Sequence, residues 1–253
     1  MTDYTVGVLE DAIQILDILQ QTPDGETLAN ITDSSGLVKN KVFRLLYTLE
    51  KHQLVQKDAD GKYSLAVRML SYAQAVKQEN RLLNASSEAM DWLMDMTGET
   101  IFLGVRSGTD ALCVAAREST QSIRLYAEVG RRAPLHSGGV PKALFAHLPR
   151  DNREQLLDSF HANDDTLDIA QLRHQLDVIR KDGYVVVVDE LDVGAHSVAA
   201  PIFGHDGAVV AALSVAGPSH RFAPQEIERY IQYIREATAQ ISEKLGYRAA
   251  IPT

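Results

Sequence analysis

The stretch that decides the fold is Ser35-Gly36-Leu37-Val38-Lys39-Asn40-Lys41-Val42-Phe43-Arg44-Leu45-Leu46. A Ser-Gly corner precedes a run in which Val42, Leu45, Leu46 and Leu49 recur at helical spacing. The sequence therefore predicts a tight turn followed by a helix over 38–52. The opposite face of this helix carries cations and amides, an arrangement typical of the second helix of a helix-turn-helix DNA reader.

The segments on either side complete a small domain. Apolar residues at i, i+3, i+4 and i+7 predict a helix over 6–20, and a short second helix is expected over 26–32. Two short strands, 54–57 and 62–65, flank an Asp-Ala-Asp-Gly turn and favour a hairpin. Three helices and a hairpin in this order predict a winged helix-turn-helix over residues 1–66.

The pattern changes further along the chain, where a stiff linker helix is expected at 67–82. Strand-like runs follow at 100–106, 110–117, 122–127, 184–188, 196–203 and 207–216, and helical runs at 140–147, 151–159, 168–182 and 224–245. This mixture predicts an α+β domain over 83–253, in which helices flank an antiparallel sheet.

Composition narrows the function classes. The 253 residues carry 25 Lys and Arg against 34 Asp and Glu, a net charge of −9, so any DNA site must be a local basic surface. The single cysteine, Cys113, excludes an intrachain disulfide and a multi-cysteine zinc site, and it fits a reducing cytoplasm. We expect a cytoplasmic protein without a membrane partner, because the first residues lack a signal-peptide pattern and the longest apolar run, 208–217, is too short to cross a bilayer.

Basic residues concentrate where a DNA reader needs them, since residues 38–62 hold six basic and three acidic side chains. The predicted DNA-contacting residues are the polar face of the helix over 38–52 and the cations beside the hairpin tip: Lys39, Asn40, Lys41, Arg44, Tyr47, Thr48, Lys57 and Lys62. Cations bind phosphates, and Asn, Lys and Arg can also reach base edges in the major groove. The alternative is the solvated face of an ordinary three-helix bundle, because charged side chains are mostly surface residues.

Four segments, in family order, resemble IclR-type transcriptional regulators. They are the reader stretch from Leu28 to Glu50, Ala133-Pro134-Leu135-His136 with Lys142-Ala143-Leu144, the stretch from Gly183 to Phe203, and Leu213-Ser214-Val215-Ala216-Gly217-Pro218. The resemblance implies a winged helix-turn-helix, a linker helix and a GAF-like domain that binds a small effector. It also implies a double-stranded DNA operator with an inverted repeat, and a homodimer or dimer of dimers formed through the reader domain and linker helix. Repression is the commoner mode among such proteins.

Residues 137–141 indicate where the effector binds. The sequence Ser137-Gly138-Gly139-Val140-Pro141 places two glycines before a proline that fits the first turn of a helix. Glycine permits close approach of backbone N–H groups to a ligand, and a helix N-terminus attracts a carboxylate. A plain glycine turn that caps a helix is the alternative.

The resemblance supplies the rest of the expected pocket, between the sheet and the helix that begins near 140. The residues assigned to it are Ser122, Ser137, Gly138, Gly139, Val140, Val187, Ser197, Ser214 and Ala216. Family members that bind small oxo-acids have polar side chains where Val187 and Ala216 stand. We therefore expect an effector with an anionic end and a larger apolar or aromatic body.

Two other functions stay open from the sequence alone: a metabolite sensor without sequence-specific DNA binding, and an enzyme on the GAF-like domain. The sequence has no HExxH, HxH or Gly-x-Ser-x-Gly pattern and no glycine-rich phosphate loop. Cys113 lies in an apolar run typical of a buried thiol, and the adjacent Asp189 and Glu190 would face opposite sides of a strand. We expect no catalytic residue, no metal site and no cofactor.

Overall fold

A computed structural model describes residues 4–126 and 128–248, except for the side chains of 75–79. The chain divides into two compact units, Met1–Glu79 and Asn80–Thr253. Each unit has a hydrophobic core of its own. In the described part of the chain, no helix combines the length and apolar character that crossing a lipid bilayer requires.

The first unit is a winged helix-turn-helix, as predicted. Its elements are α1 (Gly7–Gln20), β1 (Glu26–Thr27), α2 (Leu28–Ser35), α3 (Lys39–Lys51), β2 (Val55–Lys57), β3 (Lys62–Leu65) and α4 (Met69–Glu79). The three strands pair in the antiparallel order β1-β3-β2. The second helix begins at Leu28 and not near 26, because Glu26 and Thr27 pair with β3. The Thr27 hydroxyl then caps α2 by accepting the N–H of Asn30.

The core of the first unit fixes the orientation of α3. Its buried members come from all three helices and the hairpin: Ile15, Leu19, Ile31, Val42, Leu45, Leu46, Leu49, Val55 and Tyr63. The corner between α2 and α3 closes at Gly36, whose φ of +67° suits glycine. Because α3 buries Val42, Leu45, Leu46 and Leu49, its opposite face points to solvent.

The second unit is built on one six-stranded sheet, so the predicted α+β class is confirmed. Its elements are α5 (Arg81–Thr97), β4 (Thr100–Ser107), β5 (Asp110–Arg117), β6 (Arg132–Pro134), α6 (Gly139–Ala146), α7 (Arg150–Asn163), α8 (Ile169–Asp182), β7 (Val185–Val188), β8 (Ala195–Phe203), β9 (Val209–Pro218) and α9 (Pro224–Lys244). The strand order is β6-β5-β4-β9-β8-β7, and all neighbours are antiparallel.

Helices cover both faces of this sheet. Helices α5 and α9 pack on the face that carries Ile101, Val198 and Leu213, whereas α6 and α8 pack on the face that carries Val187 and Ala199. On the α6 side, Ser197 lies opposite Val187 and Ala216 in neighbouring strands, and Ser214 lies opposite Phe102 and Ala199. This register gathers the predicted pocket positions of three strands on one face.

The strand predicted over 122–127 is wrong for 122–126, and residue 127 lies outside the described residues. The reason is that side chains, and not a neighbouring strand, satisfy this backbone. The carbonyl of Ile123 accepts from the Arg221 guanidinium, and the carbonyl of Leu125 accepts from the Thr100 hydroxyl. The short edge strand β6, by contrast, was not predicted, because three residues carry too little alternation to be recognised.

Candidate functional site

The first candidate site is the exposed face of α3, which we call the cation face. It consists of the six predicted residues Lys39, Asn40, Lys41, Arg44, Tyr47 and Thr48, all of which are exposed. Of the two wing residues, Lys57 is exposed and Lys62 is half-buried. The helix thus presents its polar residues together on a surface that could enter a groove of DNA.

Two members of the cation face are partly engaged within the protein. The Lys41 ammonium lies 2.5 Å from the Asp11 carboxylate of α1, and the Thr48 hydroxyl donates to the Arg44 carbonyl at 2.8 Å. Among the described residues, Lys39 and Arg44 form no ion pair with a carboxylate. These two cations therefore carry most of the charge that is available for phosphate or base contacts.

Sequence reasoning missed two exposed apolar side chains on the same helix. Val38 at its N-cap is 74% exposed, and Phe43 is 50% exposed. Their helical spacing could have revealed them, since both lie off the buried stripe. Apolar groups beside the cations can contact thymine methyl groups, which cations alone cannot read.

The wing has a defined local geometry. The Asp58 carboxylate accepts the N–H groups of Asp60 and Lys62, and Gly61 closes the turn with a φ of +83°. The Lys57 ammonium lies 5.1 Å from the centre of the Tyr63 ring, within the range of a cation–π contact. The hairpin therefore holds its cations at the tip, where a DNA backbone would pass.

The second candidate site is a cavity of about 270 Å³ between the start of α6 and the sheet. Seven of the nine predicted effector residues line it: Gly138, Gly139, Val140, Val187, Ser197, Ser214 and Ala216. The other two, Ser122 and Ser137, lie outside the lining. Ser122 is exposed on the segment that is not a strand, and the Ser137 hydroxyl points to the Glu190 carbonyl, 3.3 Å away.

The predicted strand positions bring few polar side chains to this cavity. Val187 and Ala216 are buried and apolar, as the sequence indicates. Ser214 is only 3% exposed, and among the described residues its hydroxyl has no hydrogen-bond partner. The N–H groups of Gly139 and Val140 belong to the first turn of α6 and have no partner within the helix. These hydroxyl and N–H donors are available to a ligand.

The two glycines at the start of α6 are required by packing. A Cβ atom on Gly139 would lie 2.6 Å from the Ser197 hydroxyl, and one on Gly138 would lie 2.4 Å from Leu191. Gly138 also has a φ of +95°, which disfavours other residues. The glycines therefore let the helix start lie directly against β8 and the loop after β7.

Sequence reasoning missed further lining residues. Phe102, Cys113 and His196 lie on strands β4, β5 and β8. Loops supply the others: Arg124, Tyr126, Glu128, Arg131, Glu190, Leu191 and Asp192. An ion pair between Arg131 and Asp192, with a closest distance of 3.1 Å, joins two of these loops at the cavity. No periodic pattern marks such residues, because their position depends on where each loop folds back.

Glu190 has the most specific contacts of these residues. One carboxylate oxygen accepts the Gly138 N–H at 2.8 Å, and the other lies 2.5 Å from the Lys142 ammonium, which also donates to Gln175 at 3.0 Å. The Lys142 side chain is only 7% exposed. The expectation that Asp189 and Glu190 share a strand is wrong, because β7 ends at Val188 and Asp189 adopts a φ of +57°.

The environments of the remaining candidate groups, Cys113 and His136, favour their uncharged forms. Cys113 is half-buried and faces the cavity, and not the core as expected; burial raises the pKa of its thiol to about 11, so the thiol stays protonated near neutral pH. Burial also lowers the pKa of His136, whose ring packs edge-on against Phe160. Among the residues described, no group of three or more His, Cys, Asp or Glu side chains could hold a metal ion.

A winged helix-turn-helix with a basic outer face, together with a separate unit that contains a ligand-sized cavity, is an architecture typical of ligand-responsive transcriptional regulators. The family model for the IclR helix-turn-helix domain matches residues 8–59. The model for the C-terminal part of the bacterial transcriptional regulator IclR matches residues 74–243. The chain therefore belongs to the IclR family of transcriptional regulators.

Individual relatives agree with this assignment. The chain is 30% identical over 225 residues to the HTH-type transcriptional regulator KipR of Bacillus subtilis. The aligned region covers 87% of this chain and 90% of KipR. It is 29% identical over 245 residues to the HTH-type transcriptional repressor AllR of Klebsiella pneumoniae, and the aligned region covers 95% of this chain and 90% of AllR. The crystal structure of the Thermotoga maritima IclR superposes with a TM-score of 0.74 at 26% identity, over 95% of this chain and 99% of that one.

Proposed function

We propose that this regulator is a cytoplasmic repressor that acts as a homodimer or a dimer of dimers on an operator with an inverted repeat. A small organic acid with an apolar body controls its operator binding. The observation that carries the DNA part of the proposal is the cation face of α3, with Lys39 and Arg44 exposed and not paired with carboxylates among the described residues. The name of the related AllR supports repression as the mode of action.

Exposed apolar residues of the first unit support dimerisation through that unit. On and just before α1, Tyr4, Val6, Val8, Leu9 and Ile13 are each at least 49% exposed, and so are Val67, Leu70 and Tyr72 at and near the start of α4. Apolar surface of this extent commonly marks a protein–protein contact. A symmetric dimer would present two copies of α3 to two half-sites, which is why we propose an inverted repeat.

The effector proposal rests on the mixture of groups around the cavity. Phe102, Val187 and Ala216 provide apolar wall, and Ser197, Ser214 and the start of α6 provide hydrogen-bond donors between these apolar groups. A ligand that fits must combine an acceptor or anionic end with an apolar body. A two-carbon acid would leave the apolar wall without contacts.

The test of the DNA part is selection of genomic fragments by the purified full-length protein, followed by a salt titration of the best fragment. Replacement of counterions by several lysine and arginine contacts predicts a steep loss of affinity as the salt concentration rises. A footprint with two half-sites is expected. Failure to enrich any fragment, with and without a panel of carboxylates, would contradict operator binding.

The test of the effector class is calorimetric titration with 4-hydroxybenzoate and with glyoxylate. We expect measurable binding of the aromatic acid and much weaker binding of glyoxylate. Tight binding of glyoxylate without binding of aromatic acids would contradict the proposed class while leaving the DNA part intact.

A further inference from the structure

At the start of α6, a carboxylate of the protein itself contacts both a backbone N–H group and a nearly buried cation. The Gly138 N–H and the Lys142 ammonium form what we call the anion position, and both contact the carboxylate of Glu190. Lys142 is nearly buried and has only Gln175 as its other polar partner among the described residues. Loss of the Glu190 carboxylate without a replacement would therefore leave a buried ammonium without a counter-charge, which is strongly unfavourable.

A second, independent observation is a hydrogen-bond donor in the cavity that no group of the protein uses among the described residues. The Ser214 side chain is 3% exposed, faces the cavity, and has no hydrogen-bond partner among the described residues. Because this hydroxyl faces the cavity, it can donate a hydrogen bond to a ligand acceptor. Together with the N–H groups of Gly139 and Val140, it supplies donors beside the anion position.

We propose that Glu190 is an internal substitute for the effector's carboxylate, and that the effector binds by displacing Glu190 from the anion position. The inference rests on the proposed function of the cavity and adds the way in which a carboxylate would enter it, by exchange with Glu190. Exchange of one carboxylate for another preserves the charge pairing of Lys142. A neutral ligand of the same shape cannot do so, and the site therefore selects for a negatively charged end.

Displacement of Glu190 would free the loop that carries it. We call residues 189–194 the rim loop. Its present conformation depends on the Glu190 contacts, on Leu191 beside Gly138, and on the ion pair from Asp192 to Arg131. Inside the loop, the Asp189 carboxylate accepts the Gly194 N–H at 2.7 Å. Ligand binding would thus be converted into a change in the loop that borders the cavity, by differential contacts in the bound and free states.

Calorimetric titration of benzoate and benzamide into the full-length wild type, Glu190→Gln and Asp192→Asn tests the proposal. Glu190→Gln keeps the size of the side chain but removes the competing charge. We expect it to raise benzoate affinity at least tenfold and to leave benzamide affinity unchanged. Asp192→Asn is the matched control, because it removes one negative charge from the same loop and cavity without touching the anion position.

Hydrogen–deuterium exchange supplies the second measurement. In the wild type, benzoate should increase exchange in a peptide that covers 189–194 and decrease it at 138–141. The two measurements together are decisive. An equal increase in benzoate affinity in Glu190→Gln and Asp192→Asn would show a general effect of charge and would overturn displacement. Weaker benzoate binding to Glu190→Gln than to the wild type would overturn it as well. If benzoate binds none of the three proteins, the carboxylate class fails, and the inference fails with it.

Discussion

The cation face and the effector cavity differ in how their functional groups are supplied. The residues of the cation face lie within ten consecutive positions of one helix, project outward, and include cations without carboxylate partners. The cavity takes its lining from positions 102 to 216, points these groups inward, and pairs charges internally, as with Arg131 and Asp192. The residues of a surface for a polyanion are therefore close together in the sequence, whereas the residues of a cavity for a small molecule are brought together by tertiary contacts.

The largest expected effect comes from the core beneath the cation face. Leu46→Ala removes a fully buried side chain of the first unit and should lower the free energy of unfolding of that unit by about 2–5 kcal/mol. Operator binding should fall with it, whereas calorimetric ligand binding by the second unit should persist. Chemical denaturation checks the loss of stability.

Tyr47→Ala, at the next position and 63% exposed, is the matched control for Leu46→Ala. It should change the stability by no more than about 0.5 kcal/mol. Equal destabilisation by the two substitutions would contradict the orientation of α3 and, with it, the outward cation face.

The next effect separates free from paired cations within the cation face. Arg44→Ala should weaken operator binding by about 1–3 kcal/mol if the guanidinium contacts a base edge. Lys41→Ala should have a smaller effect, because Asp11 already neutralises this ammonium. Anisotropy titration of a labelled operator measures both variants, and a larger loss for Lys41→Ala than for Arg44→Ala would reverse the assignment.

A smaller effect is the pH dependence of the second unit. Burial lowers the pKa of His147, which packs edge-on against Phe203 and lies 2.9 Å from the Ala143 carbonyl through Nδ1. Protonation therefore favours the unfolded chain, so this contribution to stability is present above the ordinary pKa of 6.5 and is lost as the pH falls below it. Denaturation of the wild type at pH 7.5 and 5.5 should show this loss. His147→Gln should lose less stability over the same interval, and an equal loss would exclude His147 as a source.

Hydrophobic spacing and turn residues correctly predicted the helices and the hairpin, whose formation depends mainly on residues close in the sequence. The spacing of Val42, Leu45 and Leu49 identified α3, and the Asp-Gly turn identified the hairpin. The predicted strand was wrong for 122–126 because Arg221, about a hundred residues away, donates a hydrogen bond to the carbonyl of Ile123. Apolar composition favoured a strand there, and no local signal shows the competing contact.

The candidate cavity was predictable only in part. Ser197 and Ser214 came from a family resemblance, and the structure shows them on one face because of the strand register. Glu190 could not be assigned, because its direction depends on the end of β7 at Val188 and on the left-handed conformation of Asp189. Residues whose roles depend on a loop conformation have no periodicity to reveal them.

The most direct test of the account is the operator affinity of the wild type and of Ser214→Leu, measured with and without 4-hydroxybenzoate. The leucine side chain would fill the cavity beside Ser197, and retained operator binding serves as the control for folding. We predict that the acid changes the operator affinity of the wild type at least tenfold and leaves that of Ser214→Leu unchanged. An equal response of both proteins would contradict control of DNA binding through this cavity.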